Sequence, residues 1–403
     1  MVSRRRYLRT LGSAAALPTA AAASGCVGFG ASPTPTGTPV ENRPADGRST
    51  VGQFQADARN GGAVDPSGPT ADVEPYWRRT PAKYDAGQPV VTGDAVFVLF
   101  AGTLVSLDRE DGDPNWRTRV GHDGESTPAV HDGTVYATVW NGGEGVDRGL
   151  AAVDADSGEV LWRAATELDV TSSPTVTDGG VFLGGGYENE TVVAVDHDGA
   201  ERWRADLGEY ASTPAVRDGT VHAAGGETNA LVAYDAETGE ERRRTDLDGR
   251  ATAAPTVAGS DVLVGDESGT LSAFDAASGE PSWTTDAGGP VAGSPAVADD
   301  AVIAPVEGAL VALERADRSE RWRAPVAAEP TAPFVAGDAC YVAARRAVHA
   351  FGLADGDELW SFGTRERNYT DVVLAGVSAP VAAVDGVVFV ATQAGDVYAL
   401  GEA

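Results

Sequence analysis

The chain reads as all-β, an eight-bladed β-propeller of four-stranded antiparallel blades with the ring closed by an N-terminal strand. Three observations predict this. A unit of about forty residues recurs eight times, each copy carries strand and turn chemistry with no helical period, and the two residue series that mark the repeat are offset at the chain ends.

The unit runs as a proline, a valine two residues later, an Asp-Gly turn, a Val-aromatic strand, an apolar strand ending in Asp, a Gly turn and a tryptophan. From Thr127, TPAVHDGTVYATV leads to LAAVDADSGEVLWR; from Ser173, SPTVTDGGVFLGGG leads to VVAVDHDGAERWR. The prolines fall at Pro89, Pro128, Pro174, Pro214, Pro255, Pro295, Pro333 and Pro380, with spacings of 39, 46, 40, 41, 40, 38 and 47. β-branched runs separated by Gly, Asp and Ser give four short strands per copy, the content of one blade. The tryptophan slot recurs at Trp77, Trp116, Trp162, Trp203, Trp283, Trp322 and Trp360, with Arg243 in the remaining copy. Trp77 precedes the first proline and no tryptophan follows the last, so the segment around it is expected to supply the outer strand of the final blade.

In chain order, residues 1–25 read as an export signal. SRRRYLR is followed by an alanine-rich run to Ala23 that is too short for a membrane span. Arg4 and Arg5 resemble the twin-arginine signal, whose route carries folded proteins. Ala23-Ser24-Gly25-Cys26 is similar to a lipobox, which implies a lipid on Cys26 and attachment to the outer face of the cytoplasmic membrane. Residues 26–72, rich in Pro, Thr, Gly and Ser, are expected to form a disordered stalk, and residues 73–403 the propeller.

Composition narrows the partners. A formal net charge of -30 argues against nucleic acid. It fits a protein adapted to high salt, where carboxylates trade self-repulsion for solubility. Cys26 and Cys340 are the only cysteines, so no disulfide framework holds the fold. Cys340, in the strand-like ACYVAA, is expected to be a small buried hydrophobe.

The pattern DG-x-V-Y, then G-x-L-x-A-x-D-x-x-T-G, then W resembles the PQQ-like repeat of eight-bladed propellers, over about Trp77 to Gly401. In that family the tryptophan docks on the neighbouring blade, a role the resemblance gives to Trp77, Trp116, Trp162, Trp203, Trp283, Trp322 and Trp360. The resemblance implies two functions. One is a scaffold or binding module for a protein or cell-surface polymer, similar to the lipoprotein of the bacterial outer-membrane barrel assembly machinery. The other is a quinoprotein dehydrogenase holding pyrroloquinoline quinone with calcium. A sensor of extracellular ligands is a third reading.

The residues favour binding over catalysis. The runs DADSG, DAETG and DAASG, ending at Gly158, Gly239 and Gly279, carry turn chemistry rather than six converging calcium oxygens. His122, His131, His197, His222 and His349 lie in different repeats without metal-ligand spacing, and no catalytic group or metal site is assigned. No cofactor is expected, with pyrroloquinoline quinone and calcium as the alternative. The longest insertions, 140–149 and 361–378, are expected on the face carrying the links between blades. Arg345, Arg346, Arg365 and Arg367 form a local positive charge there, fitted to an anionic partner. Trp140, Tyr187, Tyr210 and Tyr369 are candidate contact aromatics, and Asn189 and Asn368 open glycosylation sequons.

Overall fold

The computed structural model describes residues 43–403, apart from residues 125, 144–145, 187–190, 208–210, 226–228 and 370–371. Arg4, Arg5, Cys26, Tyr187, Asn189 and Tyr210 lie outside the described residues. Every regular element among those described is a strand.

Eight four-stranded antiparallel sheets follow one another, each beginning just after one of the eight prolines. Blade 1 runs from Val90 to Arg119 and blade 7 from Phe334 to Gly363. The Asp-Gly dipeptides between strands 1 and 2 make tight turns. Asp132 and Gly133 both have positive φ, 46° and 75°, as a two-residue hairpin between right-twisted strands requires. Blade 8 combines the two chain ends. Ala382–Val384, Val387–Ala391 and Val397–Glu402 come from the C-terminus, and Val73–Arg79 pairs antiparallel with Val397–Glu402 as the fourth strand. Its register slips between Pro75 and Trp77, matching the slip between strands 3 and 4 of other blades, such as that between Val160 and Trp162.

Tryptophan joins each blade to the next. The Trp116 indole N–H donates to Ala155 O at 2.9 Å in blade 2, Trp162 to His197 O at 3.0 Å, and Trp203 to Ala236 O at 3.0 Å. Trp322 reaches Leu353 O at 2.9 Å, and Trp77 reaches Arg109 O at 3.0 Å. The ring then lies flat on the glycine that closes the same turn. A Cβ at Gly158 would stand 2.6 Å from the Trp116 ring, and one at Gly239 would stand 2.5 Å from Trp203. Glycine is required there by space as well as by its left-handed φ of 75° and 73°.

Two junctions depart from this. Arg243 fills the tryptophan slot of blade 4 and donates to Ala277 O. At the next junction the turn glycine is replaced by Arg318, whose guanidinium stands 5.3 Å from the Trp283 ring centre while its backbone keeps a φ of 67°. Both junctions open into clefts, lined by His222, Phe274 and Gly279 in the first and by Asp261, Trp283 and Glu314 in the second.

Residues 43–72 correct the expectation of a stalk beginning at Cys26 and ending at Asp72. They lie against the ring, with Ala45, Val51, Gln55 and Asn60 all buried. The Arg109 guanidinium, 2% exposed, donates to Ser49 O at 2.8 Å and Thr92 O at 2.9 Å, and pairs with Asp385 at 2.8 Å. Burial would raise the Asp385 carboxyl, but hydrogen bonds from the Ser49 hydroxyl and N–H and from Arg109 outweigh it and hold it below the usual carboxylate range. A composition poor in large apolar residues is compatible with order here because main-chain hydrogen bonds, more than apolar burial, hold the segment.

Cys340 is fully buried, and burial pushes its thiol up. Trp203→Ala should destabilise by about 3–5 kcal/mol. Arg243→Trp, which restores the indole facing Gly279, should stabilise by about 0.5–2 kcal/mol. Denaturant melts in molar salt check both.

His222, beside Arg243, has its imidazole pushed down to about 4, first by burial and then by Arg242. The folded value lies below the unfolded one, so the unfolded chain takes up the proton first. The contribution is complete above about pH 6.5 and is lost as the pH falls towards 4, in total about 3 kcal/mol. Stability against pH should therefore show an acid limb between these values, shallower in His222→Gln.

Candidate functional site

The ring offers two places for a ligand, the axial channel and the face of the inter-blade links. The channel wall is built from the residues around each proline, and hydroxyls line it. Thr127 N–H donates to Ser173 Oγ at 3.0 Å, Ser173 N–H to Thr213 Oγ1 at 3.1 Å, and Thr175 Oγ1 to Pro214 O at 2.6 Å. These bonds run from blade to blade and leave the hydroxyls engaged. Residues 51–64 fill the axis.

Pyrroloquinoline quinone with calcium needs converging oxygen ligands and room at the axis. Among the described residues no group of three or more His, Cys, Asp or Glu side chains is placed to hold a metal. The turn carboxylates are occupied locally. The Ser157 hydroxyl and N–H hold the Asp154 carboxyl low, and at Asp235 the Thr238 N–H, then Arg242, hold it down to about 2. The axis is occupied by the chain itself and the tryptophans by their docking bonds. The described residues do not fit the quinone and its calcium.

The link face carries the two insertions. Arg367–Tyr369 pairs antiparallel with Val372–Leu374 as a small two-stranded sheet outside the eight blades. Val373 is 52% exposed, against a core whose large apolar side chains are almost all buried, and Asn368 on the same small sheet is exposed.

The four arginines gather near this small sheet, but three of them are engaged at home. Arg365 makes a two-point contact with Asp396, 2.7 and 3.1 Å, and Asp396 is completely buried and also accepts from Thr80 Oγ1 at 2.5 Å. Asp396 in turn raises the Arg365 guanidinium above its ordinary value. Arg367 donates to Ala82 O and Ala394 O, and Arg346 pairs with Glu366. Arg345 is exposed at the turn between strands 2 and 3 of blade 7. The expected free positive patch is thus corrected to a set of ties, in which Arg365 and Arg367 hold the link to blade 8 and Arg346 holds it to blade 7 through Glu366. The charge count in sequence could not reveal them, because Asp396 and Ala82 are distant in the chain.

Trp140, beside the other insertion, is half-buried, and its indole N–H has no hydrogen-bond partner among the described residues. Nearby, His122 Nδ1 meets Asp123 at 3.0 Å, and Asn141 donates to the same carboxylate at 3.2 Å. The structure also brings together two histidines that the sequence scatters. The rings of His131 and His197 stack 5.0 Å apart across the junction of blades 2 and 3. His197 Nε2 lies 3.0 Å from Thr177 O and must donate to it, so Nδ1 accepts from Tyr136 Oη at 2.9 Å. The signal was their position in the repeat, one before a strand 1–2 turn and the other in the strand 3–4 turn of the next blade.

The model of the family described as outer membrane protein assembly factor BamB matches residues 62–187, 188–332 and 267–403. The chain belongs to this PQQ-like propeller family. No curated protein sequence matches it. Among solved structures, BamB from Moraxella catarrhalis is similar at 16% identity, with a TM-score of 0.65 over 82% of this chain and 98% of that one. Quinohemoprotein alcohol dehydrogenase from Comamonas testosteroni aligns at 15% identity with a TM-score of 0.69, over 88% and 81%. A europium-containing methanol dehydrogenase aligns at 12% identity with a TM-score of 0.69, over 87% and 98%. Likeness at these identities concerns the fold.

Arg365→Ala leaves Asp396 buried without its charged partner and should cost about 3 kcal/mol. It should also speed amide exchange in residues 364–378. Arg345→Ser should change neither, and hydrogen exchange with a thermal melt reads both variants.

Proposed function

We propose that this protein is an extracytoplasmic binding module, held to the membrane by a lipid on Cys26, that engages a protein partner through the face of its inter-blade links. The observation that carries it is the two-stranded sheet of Arg367–Tyr369 and Val372–Leu374. It is an addition to the repeat with an exposed Val373, fixed to blade 8 by Arg365 and Arg367, and both its strands have free edges within the described sheets. A two-stranded arm tied at its base, with an apolar side chain outward, suits strand pairing or an apolar contact with another protein. Family membership supports protein binding in general, and the filled axis moves binding to the outside of the ring. Twin-arginine export suits a chain in which Val73–Arg79 and Val397–Glu402 share one blade, since that blade is complete only once both segments have been made.

Val373→Asp should lower partner capture from solubilised membranes at least roughly tenfold with no change in melting temperature, because the side chain is exposed. Undiminished capture would remove this two-stranded arm from the interface. Cys26→Ser should move the protein from the membrane fraction to the medium, and persistent membrane association would remove the lipid anchor.

A further inference from the structure

The inner strand of each blade is a sheet edge, and an edge presents N–H and C=O groups to any chain laid beside it. Eight such edges surround the axis, and one segment of this chain meets seven of them and the strand 1–2 turn of the eighth blade. Val91 N–H donates to Val51 O at 2.9 Å, Val130 to Gly52 O at 2.8 Å, and Val176 to Gln53 Oε1 at 2.8 Å. Val216 donates to Ala58 O at 2.5 Å, Val257 to Arg59 O at 2.8 Å, Val297 to Gly61 O at 2.8 Å, and Val335 to Gly62 O at 2.7 Å. Each donor stands two residues after its blade's proline. Blade 8 joins through Gly386 N–H to Ser67 O at 2.7 Å.

Side-chain amides complete the set. Asn60 Nδ2 donates to Pro255 O at 3.0 Å and Pro214 O at 3.2 Å, and Gln55 Nε2 to Pro333 O at 3.2 Å. Both residues are buried. The circular path needs reversals of hand, and Gln55, Ala56, Asn60 and Gly62 all have positive φ. Gly62 has little room for a side chain, since a Cβ would lie 3.0 Å from that of Ala296.

The blades do not need this segment to be complete. Each of the eight sheets has its four strands without it, and blade 8 is closed by Val73–Arg79, further along the chain. The segment adds strand structure only as Ala63–Val64, a parallel fifth strand on blade 7. Its contacts repeat with the blades, while its own sequence does not.

We infer that the axial channel is a binding site for an extended polar peptide, and that residues 49–67 are its ligand, supplied by the same chain. The recognition elements are the N–H two residues after the proline in blades 1 to 7, which takes a main-chain or amide oxygen, and the carbonyls of Pro214, Pro255 and Pro333, which take Asn or Gln amides. Such a site reads a peptide through its main chain and three carboxamide side chains, those of Gln53, Gln55 and Asn60, and it opens when the resident segment leaves. The inference goes beyond the link-face interface and does not depend on it.

The test is hydrogen exchange followed by mass spectrometry on the full chain carrying Asn60→Ala and Gly62→Val. Exchange at Val130, Val216, Val257, Val297 and Val335 should quicken together, roughly tenfold or more, with strands 2 and 3 of each blade unchanged. A synthetic peptide of residues 49–67 in millimolar excess should restore protection. Unaltered exchange at these valines, or no restoration by the peptide, would overturn the inference. Exchange quickened through every strand would also overturn it, since the segment would then be part of the ring's own fold. If the double variant does not fold, Gln55→Ala carries the same readings.

Discussion

One contact sets the geometry of the ring, the tryptophan of a blade's outer strand placed flat on the turn glycine of the next blade with its indole N–H on a carbonyl of that turn. The bond satisfies a buried donor, the flat packing excludes water, and both fix the distance and tilt between neighbours. Because every blade depends on the next, a ring must end where it began. Trp360 has no ordinary turn to meet in blade 8, because strands 3 and 4 of that blade, Val397–Glu402 and Val73–Arg79, are not joined by a hairpin. Its indole donates instead to Pro69 O at 2.9 Å, and the Tyr341 hydroxyl donates to the same oxygen at 3.0 Å. The incoming N-terminal segment thus stands in for the missing turn as well as for the missing strand.

The two irregular junctions show how much the contact tolerates. Arg243 keeps the hydrogen bond to the next turn while giving up the flat ring, and Arg318 keeps the left-handed backbone of a glycine while covering Trp283 with its guanidinium. In each case one half of the lock survives, and a cleft appears where the other half is missing. Non-glycine residues at positive φ carry a backbone cost, which makes Arg318 a strained position bought by a cation–π contact.

Blade number, strand order and ring closure were legible in the sequence because they repeat. A pattern seen eight times separates the proline, the Asp-Gly turn and the tryptophan from everything accidental around them. The segment 43–72 occurs once, and its bonds are made by main-chain atoms and by Gln53, Gln55 and Asn60, none of which marks a buried residue by composition. Its Gly and Pro content reads as a spacer, yet the same residues supply the positive φ that a chain circling an axis requires. The arginines near residue 365 misled for a related reason. Positive charge is visible in sequence, but the buried Asp396 that neutralises Arg365 lies 31 residues away.

A filled axis changes what a propeller of this family can do. With an open channel, side chains from eight blades converge on one point, which is where a small ligand gains most from symmetry. Here seven inner-strand edges and one turn converge on a peptide, and the hydroxyls around it are engaged in blade-to-blade bonds. The variation that remains for function is in the links between blades, where an insertion disturbs neither the tryptophan lock nor the axial bonds. The pair Arg367–Tyr369 and Val372–Leu374 is the largest such departure with regular structure of its own among the described residues, and it is tied at its base by Arg367 to Ala82 and Ala394 and, just before it, by Arg365 to Asp396. An arm tied at its base loses less conformational entropy on meeting a partner than an untied loop, so the exposed Val373 in its second strand contributes more to binding there.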